Sequence, residues 1–90
     1  NLADTKATRY ARVSMKLELN NEDVVDEIEQ RTPQIRDLII ILISSKRFSD
    51  VQGSDGKNKL RDEIIKSINS YLIKGEVKNL YYTVVFPVWQ

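Results

Sequence analysis

The sequence predicts an α+β fold in which a small sheet packs on a broken or Pro-kinked helix and on a second, amphipathic helix. Three observations predict it. Apolar and polar side chains alternate from Tyr10 to Leu19, apolar residues recur at helical spacing through two later segments, and the closing stretch "VKNLYYTVVFPVWQ" is β-branched and aromatic. Ninety residues, 41% hydrophobic and 30% charged, fit one domain with a thin core.

The first strand is expected over about 9–19, with Ala11, Val13, Met15, Leu17 and Leu19 on one face and Arg12, Ser14, Lys16 and Glu18 on the other. Upstream, "NLADTKATRY" reads as the end of an apolar segment and a polar turn, so Asn1 and Leu2 are expected to close a truncated hairpin strand. A helix then spans about 21–46, capped by Asn20 or Asn21 and carrying Glu22, Asp23, Asp26, Glu27 and Glu29 where the helix dipole favours acids. Val24, Val25, Ile28, Ile35, Ile39 and Leu42 keep one phase across Pro33. Either a kinked helix or two helices, with Thr32 as cap and Pro33 in the first position of the second, satisfies that spacing.

"RFSDVQGSDGK" reads as loop, with Ser54 the cap of the next helix, over about 55–73. There Leu60, Ile64, Ile68, Tyr71 and Leu72 form one stripe, Lys59, Asp62, Lys66 and Asn69 face away, and Lys74-Gly75 supplies a positive end and a left-handed cap. The C-terminal strand, about 77–89, is apolar on both faces, so it is covered on both sides or bent in the middle; Pro87 limits its pairing.

Chemistry is scarce. With no histidine and no cysteine, the usual general base, metal ligands and thiol nucleophile are missing. "GSDGKN" has its glycines too close together for a phosphate loop, puts Asn58 where that loop needs Ser or Thr, and lacks the ligand order of a calcium hand. The acids at 22–29 spread around the helix and read as a solvated face. A net charge of +1 provides no field for nucleic acid, and Tyr81, Tyr82, Phe86 and Trp89 read as core rather than as a base-stacking platform. No catalytic residue, metal or cofactor is expected.

The one anomaly is the apolar run from Leu38 to Ile43. On a helical wheel Ile35, Leu38, Ile39, Leu42 and Ile43 share an arc with Val24, Val25 and Ile28, whereas Ile40 and Ile41 fall on the side of Asp37 and the early acids. Leaving two isoleucines wet forgoes about 3–6 kcal/mol, a large share of a total near 5–15 kcal/mol. Two coverings are open: the last helix or the C-terminal strand wraps this flank within the monomer, or an identical neighbour or another protein does.

Four collinear segments, "RYARVSMKLEL", "IEQRTPQIRDLIIILISSK", "GKNKLRDEIIKSIN" and "VKNLYYTVVFPVWQ", resemble the periplasmic domain of the flagellar basal-body FliL family over nearly the whole chain. The most specific parts are Arg31-x-Pro33-x-Ile35-Arg36-Asp37, the Gly56-Lys57-x-x-Leu60 helix start, Asn69, and Tyr82-Thr83 followed by the closing Gln90. The departure is Pro87 and Trp89, where an uninterrupted aliphatic strand is expected.

The resemblance implies a single periplasmic domain, 1–90, with a membrane-spanning helix and linker upstream, at the periplasmic face of the bacterial inner membrane in the flagellar basal body. It implies a fold similar to stomatin-type (SPFH) domains, which line up into rings or arcs. The implied partners are other copies of the chain, the flagellar stator proteins and basal-body components, in support of motor rotation, swarming and chemotactic motility without catalysis. Arg31, Pro33 and Asn69 are then structural positions, and Arg36, Asp37, Ile40 and Ile41 the candidate interface. The alternative is a ligand- or RNA-binding α/β module.

Overall fold

Two strands separated by almost the whole chain pair with each other, and the helices between them fold onto one face of that pair. The computed structural model describes residues 12–86. Strand β1, Arg12–Leu19, lies antiparallel to β2, Val77–Phe86, with Arg12 opposite Phe86 and Leu19 opposite Val77. The expected hairpin partner at Asn1 and Leu2, and the end of the last strand beyond Phe86 with Pro87 and Trp89, lie outside the described residues.

The register explains why β2 shows no alternation. It shifts between Ser14 and Met15 and again between Glu18 and Leu19, so Thr83 and Lys78 are extra residues in β2. Each such bulge resets the side-to-side pattern by one residue. Val77 and Leu80 are therefore buried, and Tyr82 and Val85 pack on the core. Tyr81 and Val84, which carry equally apolar bodies, face outward at 48% and 47% exposure. Of the two readings, a bent strand is the correct one.

Pro33 separates two helices. α1, Asp23–Gln30, and α2, Thr32–Ser44, meet at Arg31. Its N–H donates to the carbonyls of Glu27 (3.0 Å) and Ile28 (3.1 Å), while its own carbonyl accepts from Ile35 N–H at 3.0 Å. Pro33 is the second residue of α2, where a missing N–H costs no helical bond. Thr32 does not cap α2; its hydroxyl donates back to the Ile28 carbonyl at 2.9 Å and closes α1 instead. At the start of α1, Asn21 Oδ1 accepts from Val24 N–H at 3.3 Å, while Asn20 Oδ1 accepts from Glu76 N–H at 3.0 Å, across the molecule.

The loop expected after Arg47 contains a short helix, α3, Phe48–Val51, started by the Asp50 carboxylate accepting Arg47 N–H at 2.8 Å. Helix α4 runs Gly53–Asn69, so Ser54 lies in its first turn and is not its cap. Gly56 is required by packing, because a Cβ there would collide with the Asp50 carbonyl of α3. The helix also stops earlier than the apolar stripe suggests. The N–H groups of Tyr71 and Leu72 both turn back onto the Ile68 carbonyl, at 2.9 and 3.2 Å. Gly75 is consequently no helix cap. It lacks a side chain because a Cβ would overlap Val24 and fall 2.6 Å from Asn21 Nδ2.

The core follows from these placements. α4 packs against β2 and against α2, and Leu60, Ile64 and Ile68 on its inner stripe meet Ile35, Val51, Val77 and Leu80. Burial of each such side chain contributes about 1.5–3 kcal/mol, and this cluster is what fixes α2 in place.

Candidate functional site

Helix α2 is anchored by one stripe and bare on the other. Ile35 is buried, and Ile39, Leu42 and Ile43 pack on the core. Ile40 and Ile41 stand 61% and 63% exposed. Among the described residues neither α4 nor β2 wraps this flank, which leaves it open where the reading of a monomer-covered helix expected it closed. The physical reason is the layering: α4 takes the stripe that includes Ile35, which leaves Ile40 and Ile41, about 140° and 120° from Ile35 around the helix, pointing outward.

Beside the exposed flank lies a shallow groove of about 360 Å³, lined by Gln34, Asp37, Leu38, Ile41 and Tyr71. Of the four predicted interface residues, Asp37 and Ile41 line it. Ile40 and Arg36 are exposed on α2 outside that lining.

The Tyr71 wall is held by a polar relay of Arg31 and Glu27, whose connection the sequence did not show. Arg31 sits 5.5 Å from the centre of the Tyr71 ring, and its Nε is 3.5 Å from Glu27 Oε2. Glu27 is 7% exposed. Its carboxylate accepts the N–H of Ile73 at 2.9 and 3.0 Å and that of Lys74 at 2.8 Å. The Lys74 N–H is the main reason its carboxyl is held below the ordinary 4.5; the Ile73 N–H and the Arg31 and Lys74 charges add to it, and burial opposes. Glu27 is thus a clasp across the turn between α4 and β2, not one more solvated acid. The signal for this was its position: with Val24 at i−3 and Ile28 beside it, it belongs to the apolar stripe, and Arg31 follows at i+4.

Asn69 is corrected in the same way. It does not face away: Val77 N–H donates to its Oδ1 at 2.7 Å and its Nδ2 donates to the Val77 carbonyl at 3.0 Å, so it acts as a strand partner for the first residue of β2. Arg31 and Pro33, the other two predicted structural positions, form the joint between α1 and α2.

On β2, Tyr82 is core as expected. Its hydroxyl donates to the Lys57 carbonyl at 2.8 Å, Arg61 lies 5.3 Å above the ring, and burial pushes its phenol up to about 12. Tyr81 is not core. Its hydroxyl donates to Glu18 at 2.7 Å on the outer face of the sheet. Among the described residues, no group of three or more carboxylates is placed to hold a metal ion. A second cavity, about 440 Å³, opens over Asp23, Asp26, Glu27, Gln30, Arg31, Ile73 and Lys74, where Glu27 is already occupied by backbone donors.

The sequence model for the flagellar basal body-associated protein FliL matches residues 1–86. The chain belongs to the FliL family. Among its FliL relatives, a flagellar protein of Aquifex aeolicus is 45% identical over 92% of the chain and 52% of the relative. One from Bacillus subtilis is 32% identical over 87% of the chain and 56% of the relative. A third, from Caulobacter vibrioides, is 30% identical over 74% of the chain and 32% of the relative. The chain therefore spans about half the length of the first two FliL proteins, 52% and 56%. Among the described residues, no helix is long and apolar enough to cross a membrane. The FliL match covers all the described residues, including Arg31, Pro33, Asn69 and the exposed α2 flank.

Proposed function

We propose that this chain is a single, non-enzymatic periplasmic domain of a membrane-anchored motor protein. It associates with itself, as a ring or arc, and with the flagellar stator units and basal-body components at the outer face of the inner membrane. The observation that carries the reading is the pair Ile40 and Ile41, 61% and 63% exposed on a helix whose opposite side is firmly packed, in a chain of the FliL family. Contiguous exposed apolar surface marks protein contacts more often than it marks chemistry. Arg36 and Asp37 flank the pair and supply a polar rim.

The mechanism is mechanical. A ring of these domains binds the active, wall-engaged stator more tightly than the plugged one and so shifts the population toward rotation, torque and swarming. Only differential affinity for the two stator states can do this. The test is Ile40→Glu with Ile41→Glu in the full-length protein. The folded domain is retained, co-isolation with stator proteins is lost, and swimming and swarming decline. A folded double variant that still co-isolates with the stator and supports normal motility would remove the proposal.

A further inference from the structure

A surface that copies itself into a ring must meet a different surface on its neighbour, because a head-to-tail contact joins two unlike patches. The described residues carry a second apolar patch. Tyr81 and Val84, at 48% and 47% exposure, lie on the outer face of the sheet, which points away from α4 just as the α2 flank does. The bulge at Thr83 is what brings Val84 to that face.

The two patches sit in surroundings of opposite charge. Around α1 and α2 the exposed charges are Glu22, Asp23, Asp26, Glu29 and Asp37 against Arg36, with Arg31 half-exposed and turned to Glu27, and Arg47 exposed past the end of α2, so acids outnumber bases there. On β1 and β2 they are Arg12, Lys16 and Lys78 against Glu18, and Glu18 is engaged by the Tyr81 hydroxyl at 2.7 Å. Lys16 lies directly opposite Tyr81 in the ladder, so a cation flanks the ring. A two-fold contact between α2 flanks would bring two acidic helix pairs together, and like charges disfavour that encounter. An α2 flank against the sheet of the next copy joins apolar to apolar and acid to base.

We infer that the outer face of the β1–β2 sheet, centred on Tyr81 and Val84 and rimmed by Lys16 and Lys78, is the surface that receives the α2 flank of a neighbouring copy. This rests on the reading of the flank as a contact between copies, and it adds which face is the other half. Tyr81 is then the aromatic anchor of the contact, with Ile40 and Ile41 set across its ring.

The chain has no cysteine, so engineered thiols report geometry cleanly. In full-length protein in membranes, with any cysteines outside this region replaced by serine, Gln34→Cys marks the α2 side and Thr83→Cys the sheet side. The double variant gives a ladder of multimers on treatment with a short bismaleimide, and each single variant stays monomeric. Adding Lys16→Glu and Lys78→Glu weakens the ladder several-fold, and Asp37→Lys on top of them restores it in part. If Q34C alone crosslinks to dimers, or if K16E/K78E leaves the ladder unchanged, the sheet is not the receptor although copies still associate. If no variant crosslinks, the self-association on which the inference stands is itself wrong.

Discussion

Replacing Ile40 and Ile41 by alanine separates what these side chains do for the fold from what they do for a neighbour. Full burial of an isoleucine is worth about 1.5–3 kcal/mol. With 61% and 63% of their surface still open, the pair has realised roughly two-fifths of its total within the monomer, about 1–2 kcal/mol by the same scale. The remaining share, about 2–4 kcal/mol, is available to a contact that covers both. At about 1.4 kcal/mol per decade, I40A/I41A weakens that contact by roughly 25- to 700-fold. Urea denaturation followed by circular dichroism measures the first quantity, and crosslinking of full-length protein in membranes, alongside swarming diameter, reads the second. A stability loss above about 4 kcal/mol would mean that the isoleucines are core residues after all. Unchanged assembly and swarming with intact folding would mean that nothing covers them.

Asn69→Ala removes both bonds to Val77 and leaves a buried backbone N–H unpaired, so the domain loses about 1–3 kcal/mol and the amide of Val77 exchanges with deuterium faster than that of Leu80. Gly75→Ala forces a Cβ onto Val24, Asn20 and Asn21 and destabilises by about 1–3 kcal/mol on the overpacking scale; a neutral effect in thermal melts would contradict the close approach. Glu27 predicts acid sensitivity. Its carboxyl is held below 4.5 in the folded chain, so the unfolded chain binds the proton more readily, and the clasp's contribution, present above 4.5, is lost as pH falls below it through the lower folded value. Melting temperatures measured across that window fall more steeply for the parent than for Glu27→Gln, which starts lower; parallel curves would refute the clasp.

What the sequence shows and what it hides divide along physical lines. β1 was legible because one face is wet and one dry, so alternation survives in the residue pattern. The interior stripe of α4, Leu60, Ile64 and Ile68, was legible for the same reason at helical period. β2 hid its geometry because two bulges break the alternation without any change in composition; Tyr81 and Tyr82 are the same residue with opposite fates. The end of α4 was hidden because Tyr71 and Leu72 continue the apolar stripe into a turn, and Gly75 suggested a cap where the cause is a steric approach from Val24. Of the candidate surface, Ile40 and Ile41 could be named from the wheel alone, whereas Tyr71, Arg31 and Glu27 could not. Their relay depends on where the turn after α4 lands, a contact spanning 46 residues between Glu27 and Ile73.

The pairing of Arg12 with Phe86 puts both ends of the described chain at one extremity of the same two-stranded ladder. A pull between those ends therefore does not shear the strands past one another, with every hydrogen bond resisting together. It unzips them, Arg12–Phe86 first and Leu19–Val77 last, while the α4 cluster is spared until the strands have parted. Tension delivered through the segment before Arg12 would meet its weakest resistance at the entrance to the domain, and a neighbour pressed across Lys16 and Tyr81 would act as the stitch that stops the seam from running.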